Sequence, residues 1–354
     1  MERGAGMKIK PDNEKLSYTG RIDWSRKDEP VFVFPCTSVC MRFTGNTLKI
    51  HVKNRQAYWD NYLGCILDGK QTALLLPQDG EAVLVIPVEK KGIREHEALI
   101  FKRQDSCHEV SFLGAELADG ALLLDAPKKP ERKIEVYGDS VSAGEVSEAV
   151  DYTGREDPQH NGEYSNSWYS YAWMTARLLN AQIHDTAQGG IALLDKTGWF
   201  CEPEYKGMET VWDKVRYYPE FGEPKAWDFK QYTPQAVIVA VGQNDSHPDD
   251  YMKEDYSGEK AETWRRHYRM FLEKLRGKYP KAHIICCTTL LCHDRAWDDA
   301  IGQAVRDMGD DKITQYLFQR NGRGTPGHLR IPEAEEMARE LSAYISSLNI
   351  EGWK

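Results

Sequence analysis

Apolar and polar residues follow two different rhythms along the chain. Between residues 18 and 125 they form short runs: VFVF at 31–34, SVCMRFTG at 38–45, TLKIHV at 47–52, LGCILDG at 63–69 and AVLVIPV at 82–88. Gly45-Asn46, Asp68-Gly69 and Asp79-Gly80 punctuate them at the spacing of hairpins in an all-β sandwich. No helical period occurs there. The segment DAPKKPERK, 125–133, concentrates proline and lysine in the manner of an exposed connector. Beyond it the order becomes strand, loop, helix. IEV at 134–136, AVIVAVG at 236–242 and HIICCTTLL at 283–291 read as strands, the last two so uniformly apolar that both faces must be covered. Trp264, Tyr268, Phe271, Leu272, Leu275 and Tyr279 fall at three- and four-residue steps and predict a helix. Trp168, Tyr171, Ala172, Thr175 and Leu179 predict another over 166–180. Met337, Leu341, Tyr344, Ile345 and Leu348 predict a last helix that begins at Pro332, with Glu333, Glu335 and Glu336 at its positive end. The expected architecture is an all-β sandwich over residues 1–127, followed over 128–354 by a three-layer α/β/α domain with a parallel, doubly wound sheet.

Composition narrows the partners without changing this picture. The 354 residues suit two domains. The net charge of -9 comes with no long basic run, so nucleic acid and anionic membrane surfaces are not expected partners. The first 18 residues lack the apolar centre of a secretory signal, which makes the cytoplasm the expected location. Cys286 and Cys287 sit side by side in an apolar run and read as small core residues. Cys36 with Cys40, and Cys292 beside His293, lack the paired spacing of a zinc site, so no metal is expected.

Candidate chemistry gathers where strands end. In IEVYGDSVSAGE, 134–145, a strand runs into Gly138-Asp139-Ser140 and presents a hydroxyl where open α/β sheets bind ligands. Ile183 leads into AQGGIALL, whose Gly189 and Gly190 allow a backbone amide to approach a ligand closely. AVIVAVG ends in Gln243-Asn244-Asp245, placing a side-chain amide at the corresponding end of a central strand. His328 lies in a loop just before the last helix. Together these match acyl transfer: Ser140 as nucleophile, His328 as base and then acid, and an oxyanion hole from the amides of Ser140 and of Gly189 or Gly190 with the Asn244 side chain.

These four blocks, in this order and on these elements, resemble those of the SGNH (GDSL-type) hydrolases. The stretch from Gly20, GRIDWSRKDEPVFVFPCTSVCMRFTGNTLKIHVKN, resembles the N-terminal jelly roll of carbohydrate esterase family 2, whose members are acetyl esterases acting on O-acetylated sugars. The likeness covers nearly the whole chain. It implies a cofactor-free serine esterase that deacetylates carbohydrates such as xylan- or mannan-derived oligosaccharides, with the roles just given. The family's fourth block reads Asp, two residues, His, Pro, whereas here Thr325 holds the Asp position and Leu329 follows the histidine. The resemblance therefore implies the Ser-His dyad variant, with a backbone carbonyl orienting the imidazole.

Two other functions remain open on the sequence: an esterase, thioesterase or acyltransferase using another acyl group, and a carbohydrate-binding protein with an impaired catalyst. The β domain is either a platform or the source of a loop in the pocket. Asp139 is a possible substrate contact, although it and Asp245 also suit turn-holding hydrogen bonds. His247 reads as a loop residue, and the spacing of Gly322, Gly324 and Gly327 as a chance dinucleotide fingerprint with no strand before it. The insertion at 197–229 is rich in aromatics. Trp199, Trp212 and Trp227 are candidates to face a sugar ring, weighed against the expectation that most such rings pin the insertion to the sheet.

Overall fold

The computed structural model describes residues 6–88 and 95–353; residues 1–5 and 89–94 of the expected first domain, and residue 354 of the second, lie outside the described residues. Among the described residues twelve strands make the N-terminal half: β1 (Met7–Ile9), β2 (Ser17–Thr19), β3 (Ile22–Asp23), β4 (Val31–Phe32), β5 (Ser38–Thr44), β6 (Leu48–Gln56), β7 (Tyr62–Leu67), β8 (Lys70–Leu75), β9 (Asp79–Ile86), β10 (Glu95–Lys102), β11 (His108–Leu117) and β12 (Leu123–Leu124). One antiparallel sheet runs β3-β4-β11-β6-β9 with β1 on β11; the other runs β12-β5-β10-β7-β8 with β2 on β5. Alternation decides which residues face inward. Val39, Met41 and Phe43 of β5 meet Leu48, Ile50 and Val52 of β6 in the core between the sheets.

Only one of the three expected turns joins a hairpin. Asp68 and Gly69, both in the left-handed region (φ 49° and 82°), close the β7–β8 hairpin as a type I′ turn requires. Gly45-Asn46 instead carries the chain from one sheet to the other, since β5 and β6 never pair. Asp79 and Gly80 lie inside β9, opposite Arg55 and Asn54.

The C-terminal half is a parallel sheet of β13 (Arg132–Gly138), β14 (Ala181–Ala187), β17 (Ala236–Ala240), β18 (His283–Cys286) and β19 (Ile313–Gln315), ordered β14-β13-β17-β18-β19. A two-stranded ribbon, β15 (Lys214–Arg216) and β16 (Lys225–Ala226), belongs to the aromatic insertion. Helices α1 (Ser140–Ala143), α2 (Tyr171–Leu178) and α7 (Ile331–Ser347) cover one face of the parallel sheet, packing on Ile134, Val136 and Ile238. On the other face α3 (Met208–Val211), α4 (Tyr251–Glu254), α5 (Glu259–Lys278) and α6 (Arg295–Met308) pack on Tyr137, Val237 and Val239. Because the strand order reverses beside β13, the carboxyl ends of β13, β14 and β17 leave a crevice between their loops.

The helix expected over 166–180 is broken at Ser170, whose extended backbone (ψ 147°) separates a 3-10 turn from α2 while its hydroxyl caps Trp173 N–H at 3.1 Å. Helix α6 and strand β19 complete the expected three layers. The halves are joined through Arg21. Its guanidinium, wholly buried, bonds Glu135 of β13 (Nε to Oε1, 3.0 Å), Tyr137 Oη (2.6 Å) and the carbonyls of Trp212 (2.7 Å) and Lys214 (3.1 Å).

Candidate active site

Asp139 ends β13 and caps α1, accepting Val141 N–H at 3.0 Å, so the next residue starts a helix with its side chain turned outward from the sheet end. That residue is Ser140. Its Oγ lies 2.8 Å from His328 Nε2, although 188 positions separate them along the chain. The loop before α7 places the imidazole there. The capping interaction at the start of α7, in which Glu333 accepts Arg330 N–H at 2.9 Å, fixes the entry of that loop into the helix.

The other ring nitrogen corrects the dyad expectation. His328 Nδ1 faces no backbone carbonyl; it lies 2.5 Å from Asp157 Oδ2, and His328 N–H donates to Asp157 Oδ1 at 2.9 Å. Arg330 in turn lies 2.9 Å from Asp157 Oδ1. A carboxylate on Nδ1 fixes the tautomer and supports the imidazolium, the task of the orienting acid in a triad. Thr325, at the position where a family acid is expected, is buried and its hydroxyl has no partner. Asp157 arrives from the loop between α1 and α2, whose sequence TGREDPQHNG has no periodicity to mark it. The only signal for it is a carboxylate within a polar loop that follows the nucleophile.

Electrostatics follow from these contacts. Burial alone lowers the His328 imidazole, but the carboxylates of Glu145, Asp157 and Asp139 outweigh it and hold the ring up at about 9. Against the effect of burial, the hydrogen bonds and charge of His328 and the charge of Arg330 keep Asp157 well below the usual carboxylate range. Burial pushes Asp139 up to about 6 and Glu145 to about 7.

Around Ser140 the four expected anion-hole groups are not equivalent. Gly189 N–H is already taken: it donates to Asp105 Oδ2 of the β domain at 2.6 Å, alongside Gln188 Nε2 at 2.8 Å. Both amide hydrogens of Asn244 are directed at Ile191 O (3.0 Å) and Asp139 Oδ2 (3.3 Å). The N–H groups of Ser140 and Gly190 have no acceptor among the described residues, and both residues line the cavity. Gly190 (φ 70°) must be glycine, because a Cβ there would lie 2.7 Å from Trp199 Cβ.

The cavity over Ser140 measures about 440 Å³. Tyr58 and Trp59 of the β6–β7 loop form part of its wall, so the β domain supplies a loop to the pocket. Trp59 adopts the left-handed region (φ 54°), uncommon for an aromatic residue, and meets His160 edge-on with centroids 4.6 Å apart. Of the insertion's three candidate tryptophans only Trp199 reaches the cavity; it is 55% exposed and stacked on His247 at 3.3 Å. Trp212 is a core residue beside Phe271, and Trp227 packs against Val215 and Tyr232. Their large apolar area is spent pinning the insertion to the sheet. Asp139 is no substrate contact either: it is fully buried and accepts from Val141, Gln243 and Asn244. Asp245 likewise holds its turn, accepting Leu193 N–H and Trp264 Nε1–H. Cys36 is buried near Asp185 and Cys292 is exposed; among the described residues no three His, Cys, Asp or Glu side chains are grouped to hold a metal.

A jelly-roll-like domain in front of a 2-1-3-4-5 parallel sheet, with a serine, a histidine and a carboxylate in line at its switch point, defines an SGNH-hydrolase-like protein. Comparison with known proteins is more specific. Residues 18–127 match the family model described as "Carbohydrate esterase 2 N-terminal". The chain is 29% identical to the "Cellulase/esterase CelE" of Acetivibrio thermocellus over 97% of its own length but only 40% of that protein's. It is 24% identical to the "Acetylxylan esterase / glucomannan deacetylase" of Cellvibrio japonicus, covering 96% of this chain and 90% of that one. A family two carbohydrate esterase from Clostridium thermocellum, solved in complex with cellohexaose, superposes with a TM-score of 0.79 at 27% identity, covering 96% of this chain and all of the other. The chain thus resembles family two carbohydrate esterases along nearly all of its length.

Proposed function

We propose that the protein is a serine esterase that removes O-acetyl groups from carbohydrates. The observation that carries this reading is the hydrogen-bonded line Ser140–His328–Asp157, opening into a cavity walled by Tyr58, Trp59 and Trp199. Aromatic faces suit the apolar faces of sugar rings, and the similarity to carbohydrate esterases supports the same substrate class.

His328, in its neutral form, removes the Ser140 proton as Oγ attacks the acetyl carbonyl. The tetrahedral oxyanion forms within reach of the unpaired Ser140 and Gly190 amides, with Asn244 beside them. Imidazolium, supported by Asp157, then gives its proton to the departing sugar oxygen as its bond to the acetyl carbon breaks, which frees the sugar hydroxyl and leaves Ser140 acetylated. Water attacks the acetyl-enzyme by the same route in reverse, releasing acetate and restoring Ser140. The reaction consumes ester and water and yields one alcohol and one acid.

The test is acetate release from mono-acetylated sugars and acetylated xylan- and mannan-derived oligosaccharides, run beside an aryl acetate. The protein should deacetylate members of both sets, and Ser140→Ala should abolish turnover of each. Hydrolysis of the aryl acetate at the normal rate by purified Ser140→Ala protein rules out the mechanism. Longer acyl esters turned over in preference to acetates would move the protein to a different acyl substrate.

A further inference from the structure

Glu145 is a cavity residue that the mechanism above does not use. Its backbone N–H donates to Ser140 O at 3.0 Å, so it is fixed just past the helix that carries the nucleophile. Gly144, left-handed at φ 78°, ends that helix and returns the chain to the pocket. A Cβ added at Gly189 would lie 3.0 Å from Glu145 Oε2, which places the carboxylate against the Gln188-Gly189 loop on the cavity wall. Among the described residues this carboxylate makes no hydrogen bond and no ion pair. Its surroundings are enclosed enough that burial pushes it up to about 7. Glu145 is half-buried, so water reaches its carboxylate in the open cavity, and a ligand that displaces that water must bring hydroxyl donors in its place.

Apart from the His328 imidazole, the charged groups among the described residues of the lining are acidic. Glu156 and Asp157 join Glu145 on the cavity wall, and no lysine or arginine lines it. Arg330, wholly buried behind the site, is spent on Asp157. Like charges brought together in such a pocket repel strongly, and repulsion of the wrong ligand is a common source of specificity.

We propose that Glu145 selects the sugar: its carboxylate accepts hydrogen bonds from hydroxyls next to the ester, and its charge turns away acetylated acidic sugars such as uronates. This rests on the carbohydrate esterase reading above. It assigns the preference for uncharged sugars to one residue.

The experiment compares kcat/KM for acetylated methyl xyloside and for an acetylated methyl uronide at pH 8, with an aryl acetate alongside. The wild-type protein should favour the neutral sugar, and Glu145→Gln should narrow that ratio by roughly tenfold or more. A second arm varies the pH. At pH 6 Glu145 is mostly protonated while the uronide carboxylate is not, so the wild-type ratio should narrow as well, and the Glu145→Gln ratio should not. The groups facing Glu145 are His328, the Tyr58 phenol, which burial raises well above its ordinary value, and the carboxylates of Asp105, Asp139 and Asp157, and Asp157, held low, stays charged across that range. The imidazole, at about 9, is mostly charged at both pH values, and Asp139, at about 6, loses part of its charge at pH 6, so the narrowing counts for Glu145 only where Glu145→Gln abolishes it. An unchanged ratio in both arms overturns the proposal. Turnover of the aryl acetate with neither sugar ester hydrolysed sinks the carbohydrate reading itself, and this assignment with it.

Discussion

At His328 burial and charge pull in opposite directions, and charge prevails. An imidazole held at about 9 is mostly protonated at neutral pH, whereas attack by Ser140 requires its neutral form. The kcat/KM profile for an aryl acetate should therefore rise into the alkaline range, with its limb near pH 9. Asp157→Asn removes one of the charges that support imidazolium. The limb should then move down toward the ordinary value of about 6.5, while kcat falls on the order of 10³- to 10⁴-fold. A profile unchanged by that substitution would contradict the assigned orienter. Folding is linked to the same shift: the raised value stabilises the native state fully below pH 6.5, and that share is lost as pH rises through 9. That Ser140, Asn244 and His328 come together at one cavity is legible in the sequence because each borders a predicted strand or helix, whereas the partners of the Asn244 amide are not. Asp157 sits in an aperiodic loop. The choice between Gly189 and Gly190 depends on Asp105, 84 positions away, which no local pattern encodes.

The insertion after β14 shows why elements can be legible while their surfaces are not. Trp199, Trp212 and Trp227 look alike in the sequence, yet two are core and one faces solvent, because burial depends on which wall of the sheet each loop segment meets. The Trp199 backbone N–H donates to Gly190 O at 2.7 Å, which ties the segment that carries this exposed ring to a glycine of the candidate anion hole. Trp199→Ala should raise KM for acetylated oligosaccharides several-fold and leave KM for a small aryl acetate nearly unchanged, since only the larger substrate needs the platform. Equal effects on both would mean that the ring merely supports the loop. Helix α6 carries Trp297, Ala300, Ile301 and Ala304 at helical spacing, so its pattern is present in the sequence although two of the four positions are alanines. Strand β19, three residues long, offers too short a run for alternation to register.

At the scale of the molecule, the change of rhythm across the connector is legible, but the way the halves meet is not. Their junction is polar at its centre. Arg21 carries its charge into a ring of aromatic side chains, Phe34, Tyr137, Trp227 and Phe229, with guanidinium-to-centroid distances of 5.3 to 6.0 Å. Glu135 is equally enclosed on the other side. Removing one member of such a pair strands the other, so Arg21→Ala should lower the unfolding free energy in urea by about 3–5 kcal/mol. A loss under about 1 kcal/mol would mean that water reaches the vacated space.

The same ion pair constrains how this architecture can be inherited. A recombination event with its breakpoint in the proline- and lysine-rich segment would part Arg21 from Glu135 and from Tyr137, Trp227 and Phe229, which enclose it. A descendant keeps this junction only where both of its sides are inherited together.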